Sequence, residues 1–105
     1  MDNRYSITIE KYAQKDLSDI FTYICNTLHN KKAAYKLLDK INEKFKTLSI
    51  FPDIAPNINN NYVKNKNIRK LLIDNYIAFY EIDKINKEIR IIRILYGMSN
   101  YVDIL

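Results

Sequence analysis

The chain has very little histidine, glycine, cysteine and proline, and these shortages exclude several kinds of chemistry. With a single histidine, His29, it supports neither a metal site of the usual ligand types nor a Ser/His/Asp catalytic set. Because the chain has only one glycine, Gly97, it cannot form a glycine-rich phosphate-binding loop. We expect Gly97 to lie where a side chain cannot fit or where φ must be positive. The lone cysteine, Cys25, cannot form an internal disulfide, and we expect it to act as a small buried hydrophobe. We therefore expect no metal and no small-molecule cofactor.

Long hydrophobic runs are also missing. No run of about eighteen apolar residues is present, so the sequence predicts no membrane-spanning segment. The first residues lack the apolar stretch of a signal peptide, and we expect a cytoplasmic protein. A length of 105 residues and an apolar fraction of 48% favour one folded domain over residues 1–105. The net charge of +5 suits a polyanionic or acidic partner, such as RNA or an acidic protein.

The N-terminal half predicts a strand followed by two helices. Residues 5–9 alternate apolar and polar side chains, which is typical of a strand. Apolar residues then recur at helical spacing over about 11–28 and again over about 32–49, with Asn30 able to end the first helix or cap the second. Asp16, Asp19 and Asn26 fall outside the first stripe, where solvent is expected. The first stripe contains Ala13, Leu17, Ile20, Phe21, Ile24 and Leu28, and the second Ala34, Leu37, Leu38, Ile41, Phe45 and Leu48.

The C-terminal half predicts an antiparallel meander. Three runs rich in Ile, Tyr and Phe, at 68–73, 76–83 and 88–97, are separated by short breaks of Asn, Asp and Lys. Between the helices and these strands, residues 51–66 hold both prolines and no periodicity, which indicates a long loop. The fold class is therefore α+β: an N-terminal strand and an antiparallel helical hairpin packed on an antiparallel sheet, in the order β-α-α-β-β-β.

Both faces of the last strand are mostly apolar. Strict alternation puts Ile89, Ile91, Arg93 and Leu95 on one face and Arg90, Ile92, Ile94 and Tyr96 on the other. One face must pack on the helices. The other is too apolar for open water, so either a partner segment or the chain's own loop and tail must cover it.

Cations cluster on the predicted sheet, at Arg69, Lys70, Arg90 and Arg93. Cations beside tyrosines can hold a phosphate backbone and stack a base. They can equally be solvated strand residues that prevent edge-to-edge aggregation, and this is the better interpretation for Lys70 and Arg90.

The ordered segments Arg-Lys-Leu-Leu-Ile, Asn-Tyr-Ile-Ala-Phe-Tyr-Glu-Ile-Asp and Ile-Arg-Ile-Leu-Tyr-Gly resemble the sheet of RelE/ParE toxins, from bacterial type II toxin–antitoxin pairs. Phe51-Pro52 after the second helix fits the same pattern. The resemblance implies a toxin neutralised by an antitoxin, whose C-terminal segment would wrap the sheet at Ile77, Phe79, Ile89, Ile91 and Leu95. It also ranks Arg69 and Arg93 first among the functional cations, since family members commonly carry Arg there.

The family divides into ribosome-dependent mRNA endonucleases (RelE-like) and gyrase poisons (ParE-like). Two positions that carry arginine in the nucleases hold Ile77 and Ser99 here. The resemblance therefore favours a ParE-like protein without enzymatic activity, which binds DNA gyrase through Arg69, Arg93, Tyr96, Ser99 and Tyr101. The alternative is a RelE-like endoribonuclease acting on the ribosome and mRNA through Lys70, Arg69, Arg93 and Tyr101. A third possibility is a non-toxic binding module or co-repressor.

Overall fold

The structure is a computed structural model that describes residues 3–58, 67–99, 101 and 104–105. The element order is β1 (Ser6–Ile9), α1 (Lys11–Thr22), α2 (Lys31–Ile50), β2 (Arg69–Ile73), β3 (Tyr76–Asp83) and β4 (Glu88–Tyr96). A π-helical turn, Tyr23–Thr27, extends α1, and a 3₁₀ turn, Pro52–Ile54, follows α2. The predicted α+β fold is confirmed. No helix in the described ranges is both long and apolar enough to cross a membrane.

Within the described ranges, four strands form one sheet in the order β1-β4-β3-β2. The meander of β2, β3 and β4 is antiparallel as predicted, and β1 joins it parallel to β4, with Ile7 opposite Ile89 and Ile9 opposite Ile91. Because β1 ends at Ile9, the last part of β4 has α1 rather than a strand beside it.

The helical hairpin covers one face of the sheet. Its buried side chains follow the predicted stripes, with Ala13 and Ile24 from the first helix and five residues from α2. The π-helical turn rotates the end of the first helix, so Leu28 leaves the stripe and is more than half exposed. Cys25 packs against this core without being fully buried. The predicted cap is confirmed, because the Asn30 side chain accepts a hydrogen bond from Ala33 N.

A β-bulge in β4 changes the expected alternation. Phe79 pairs with Arg93 and Tyr80 pairs with Ile91, so Ile92 is the extra residue. Ile89, Ile91 and Ile94 all pack in the helix-side core, whereas Ile92 and Leu95 pack against the opposite face. The assignment of Ile89, Ile91 and Leu95 to one face was therefore wrong.

Gly97 follows β4 at a close approach to the β2–β3 turn. Its N–H donates to the Asn75 carbonyl at 2.7 Å, and a Cβ on Gly97 would lie 3.1 Å from that same oxygen. Its φ is not positive. Of the two predicted reasons for glycine, lack of space is the one that applies.

Candidate functional site

The face of the sheet opposite the helices carries a second, smaller apolar cluster, which we call the second face. Ile58, Ile68, Ile77 and Phe79 are its buried members. Ile92, Leu95, Tyr101 and Leu105 pack against them. Ile58 belongs to the segment that follows the 3₁₀ turn, and its N–H donates to the Ile68 carbonyl at 2.9 Å. The chain's own loop and tail therefore cover the centre of this face. The residues alone left open whether a partner or the chain itself covers this face, and the resemblance favoured a partner. In the part of the chain that the structure describes, the chain itself covers it.

The tail is held mainly through Tyr101. Its ring lies 5.1 Å, centroid to centroid, from the ring of Phe79. Leu105 N donates to the Tyr101 carbonyl at 2.8 Å, and the Leu105 side chain packs against the same cluster. Beside it lies a cavity of about 380 Å³ whose lining includes Ile104, Leu105 and Tyr12. Around this covered centre, Leu72 remains 62% exposed.

Three of the four predicted nuclease residues are neighbours of Phe79. Lys70 and Arg93 are its cross-strand neighbours on β2 and β4, so their Cα atoms lie about 10 Å apart. Tyr101 stacks on the same ring. Arg69 pairs with Tyr80 instead and lies toward the helix-side face. The described residues include no group of three or more metal-ligating side chains.

Arg93 is bound within the chain. Its Nε and Nη2 donate to the two oxygens of Asp16 at 2.7 and 2.8 Å, and its guanidinium lies 5.9 Å from the centre of the Tyr12 ring. The side chain of Asp16 is only 12% exposed, so the prediction that it faces solvent was wrong. The hydrogen bond with Asp16 raises the pKa of Arg93 above its ordinary value.

Arg69 is likewise engaged by the chain itself. Its Nη1 donates to the Ala55 carbonyl at 2.6 Å, and its Nη2 lies 3.2 Å from the Asp53 carboxylate. Tyr80, its cross-strand neighbour, donates from its hydroxyl to the Pro52 carbonyl at 2.8 Å. Burial raises the pKa of Tyr80. Together these two side chains fasten the 3₁₀ turn to the sheet.

Arg90 is surrounded by acidic side chains. Its nitrogen atoms lie 3.3 Å from Glu88, 3.6 Å from Glu81 and Asp83, and 3.7 Å from Glu10. A hydrogen bond with Glu88 is the main reason that its pKa is raised. Because β4 lies between β1 and β3, the interpretation of Arg90 as a solvated residue that protects a sheet edge was wrong. Its ion pairs belong to the fold instead.

The residues predicted to bind an antitoxin are mostly inaccessible. Ile89 and Ile91 are fully buried under the helices, and Phe79 is fully buried on the second face. Ile77 is also buried there, and Leu95 is partly exposed. Direct contact at Ile89 or Ile91 would require the helical layer to move away. The assignment of these residues to an antitoxin stays a prediction.

Tyr96 and Ser99 are the predicted target-binding residues with the least engagement in the fold. Half of Tyr96 is exposed, Ser99 is partly exposed, and between them Met98 is 83% exposed. Sequence reasoning missed the contact of Tyr12 and Asp16 with Arg93, although their spacing of four on one helix was a visible signal. That spacing puts both side chains on the same helical face.

A family model and two solved structures that this chain resembles all come from toxin–antitoxin systems. The family model described as ParE toxin of type II toxin-antitoxin system, parDE, matches residues 7–101. The fold is similar to a solved chain of the chromosomal ParDE system from P. aeruginosa, with a TM-score of 0.70 and 22% identity over 90% of this chain and 98% of that one. It is also similar to a chain of the toxin–antitoxin complex RelBE2 from Mycobacterium tuberculosis, with a TM-score of 0.63 and 15% identity over 89% and 98%. Comparison with curated proteins found no match.

At these identities the two solved structures establish the shared fold alone. The family match is what identifies the chain, because it spans strand β1, both helices and the whole meander. This protein belongs to the ParE toxin family of type II toxin–antitoxin systems.

Proposed function

We propose that this protein inhibits growth by binding DNA gyrase, and that a cognate antitoxin neutralises it. The observation that carries the proposal, beside family membership, is the environment of Ile77. This residue stands where the nucleases of the wider family carry an arginine, and its side chain is buried in the second apolar cluster. A cation at that point would be desolvated without a partner, so the sheet is built without the nuclease charge.

The target contact that we propose is the end of β4 and the residues after it. Tyr96, Met98 and Ser99 are available to a partner there. Arg69 and Arg93, also predicted for target binding, already satisfy backbone and carboxylate groups of the chain. We propose that Arg93 supports this surface, while Tyr96 and Ser99 contact the target directly. Arg69 lies at the end of β2 away from Tyr96, where it holds the 3₁₀ turn.

The proposed antitoxin site is the second face. The apolar residues Leu72 and Leu95 lie at the margin of a cluster that the chain's own tail covers through Tyr101 and Leu105. A partner segment that binds here would bury Leu72 and replace the tail over Phe79. The support for this partner comes from family membership. The apolar face does not by itself require a partner, because the tail already covers it.

The first experiment induces the gene alone and measures growth, and then measures gyrase supercoiling and DNA breaks with purified protein. We expect growth arrest and inhibited supercoiling, both reduced in Tyr96→Ala. The matched control is Tyr35→Ala, because Tyr35 is 52% exposed but lies on α2. Unchanged supercoiling at saturating protein contradicts the gyrase target, and normal growth would indicate a non-toxic binding module.

One observation favours a second function, ribosome-dependent mRNA cleavage. Lys70 and Arg93 pair with Phe79 from the two neighbouring strands, and Tyr101 packs on its ring. Cations beside a tyrosine can bind a phosphate and stack a base, which here requires Arg93 to leave Asp16 and Tyr101 to leave Phe79. This function predicts codon-phased transcript cleavage that is lost in Lys70→Ala. Intact transcripts on ribosomes incubated with active toxin would exclude it. Lys84→Ala is a suitable control, since Lys84 is an exposed lysine of the β3–β4 turn.

A further inference from the structure

Among the described residues, two pairs of tyrosine and aspartate spaced four residues apart lie along α1 and the π-helical turn that extends it, and the fold engages them differently. In the first pair, Tyr12 and Asp16, the guanidinium of Arg93 is bound by the carboxylate and lies beside the ring. The second pair is Asp19 and Tyr23, at the end of α1 and the start of the π-helical turn. Spacing of four places each pair on one side of the helix.

The second pair faces a cavity that the rest of the fold completes. The cavity has a volume of about 660 Å³, and its walls include Asp19, Tyr23, Leu28, Tyr76 and Tyr96. The rings of Tyr76 and Tyr96 lie 5.9 Å apart at an angle of 72°. The cavity wall therefore includes three tyrosine side chains, of which Tyr76 and Tyr96 pack edge to face. Burial, with added contributions from Tyr23 and Tyr96, raises the pKa of Tyr76.

The chemistry of these walls is complementary to an organic cation. Tyrosine faces attract a cation through the ring quadrupole, and one carboxylate at the rim provides the opposite charge. A guanidinium suits the cavity better than an ammonium, because it is planar, stacks on aromatic faces and can bind a carboxylate through two donors. The apolar side chain of Leu28, which the π-helical turn turns away from the core, can contact the methylene groups of an arginine.

We propose that Asp19, Tyr23, Tyr76 and Tyr96 form a receptor for an arginine side chain of a partner polypeptide. The interaction of Arg93 with Tyr12 and Asp16 is the intramolecular precedent for this recognition. Lys15 now lies 2.8 Å from Asp19, but both side chains are highly exposed. An exposed lysine–aspartate pair of this kind contributes little stability, so an incoming guanidinium can displace it. The inference concerns the chemistry of the cavity and does not require that the target be gyrase.

The test uses the full chain with ¹³C-labelled tyrosine rings and records NMR spectra during titration with N-acetyl-arginine amide. We expect saturable shifts of the Tyr23, Tyr76 and Tyr96 signals, with none at Tyr35. N-acetyl-citrulline amide has the same shape without the charge, and we expect no saturation with it. N-acetyl-lysine amide should bind several-fold more weakly than the arginine probe. Equal shifts with arginine and citrulline, or equal affinity for lysine, would overturn the proposal.

Two variants assign the interaction to the proposed groups. Asp19→Asn should weaken binding of the arginine probe about tenfold, the loss expected when a charge-assisted hydrogen bond is removed. Tyr96→Leu keeps the apolar area and should weaken binding about fivefold through loss of one aromatic face. Asp39→Asn changes an exposed carboxylate of α2 and should have no effect. Wild-type affinity in Asp19→Asn, in a protein whose spectrum shows the native fold, would refute the site. Gyrase inhibition is measured separately, so the two proposals can fail independently.

Discussion

Arg93 and Asp16 join β4 to α1 across 77 positions of the chain, through two hydrogen bonds of 2.7 and 2.8 Å. The same carboxylate also accepts the N–H of Ile94 at 3.0 Å. This N–H lies in the part of β4 that extends past the end of β1, because the last residue of β1 pairs with Ile91. Asp16 therefore takes the place of a neighbouring strand. An arginine that the sequence favours as a binding residue is thus part of the framework that shapes the end of β4.

Replacing Asp16 by alanine should lower the free energy of unfolding by about 2–4 kcal/mol, since it leaves a partly buried guanidinium and a backbone N–H without their acceptor. Urea denaturation followed by circular dichroism measures the change. Asp19→Ala, in an exposed pair on the same helix, is the matched control and should cost no more than about 0.5 kcal/mol. Equal losses for the two variants would show that the Asp16 contacts add nothing to stability.

Arg69 and Lys70 are adjacent in sequence but should respond differently to truncation. Arg69→Ala removes a donor to the Ala55 carbonyl and releases the 3₁₀ turn, so we expect a loss of about 1–3 kcal/mol in unfolding free energy. Lys70→Ala should change stability by less than about 0.5 kcal/mol. Thermal and urea unfolding of the two variants measure both changes in unfolding free energy. A stable Arg69→Ala protein that has lost toxicity would instead assign Arg69 a direct role in binding.

Tyr101 should determine how firmly the tail covers the second face. Tyr101→Ala removes the ring that packs on Phe79, and we expect a loss of about 1–2 kcal/mol in unfolding free energy. Faster amide hydrogen exchange at β2 and β3 should accompany this loss. Met98→Ala, at a highly exposed neighbouring position, should leave both measurements unchanged. Unaltered exchange in Tyr101→Ala would mean that the tail does not protect this face.

The β3–β4 turn should weaken in acid because of Asp83. Hydrogen bonds from the backbone N–H and side chain of Asn86 lower the pKa of Asp83, with a further bond from Ile85 N. The carboxylate therefore stabilises the turn above its unfolded-state pKa, and this contribution is lost as pH falls through the folded-state pKa. NMR titration should give a midpoint below the ordinary aspartate value. Asn86→Ala keeps the backbone donor, so it should raise that midpoint only partly; no change would contradict the assigned cause.

Local patterns in the sequence predicted most of the elements. Helical stripes located both helices, although the π-helical turn that exposes Leu28 left no sign in the spacing. The run from Tyr76 to Asp83 was predicted with its observed bounds. The site was predicted less well, because the roles of Arg69 and Arg93 depend on Ala55 and Asp16, which are 14 and 77 positions away. No periodicity within one element contains such a pairing.

The sequence by itself determined the order of elements, the apolar stripes and the Asn30 cap, since each depends on residues within a few positions of one another. Tertiary structure alone decided the parallel pairing of β1, the bulge at Ile92 and the covering of Phe79 by Tyr101. Each of these is a contact between segments distant along the chain. Such contacts depend on which surfaces remain free once the helices have packed on the sheet, and that is a property of the whole fold.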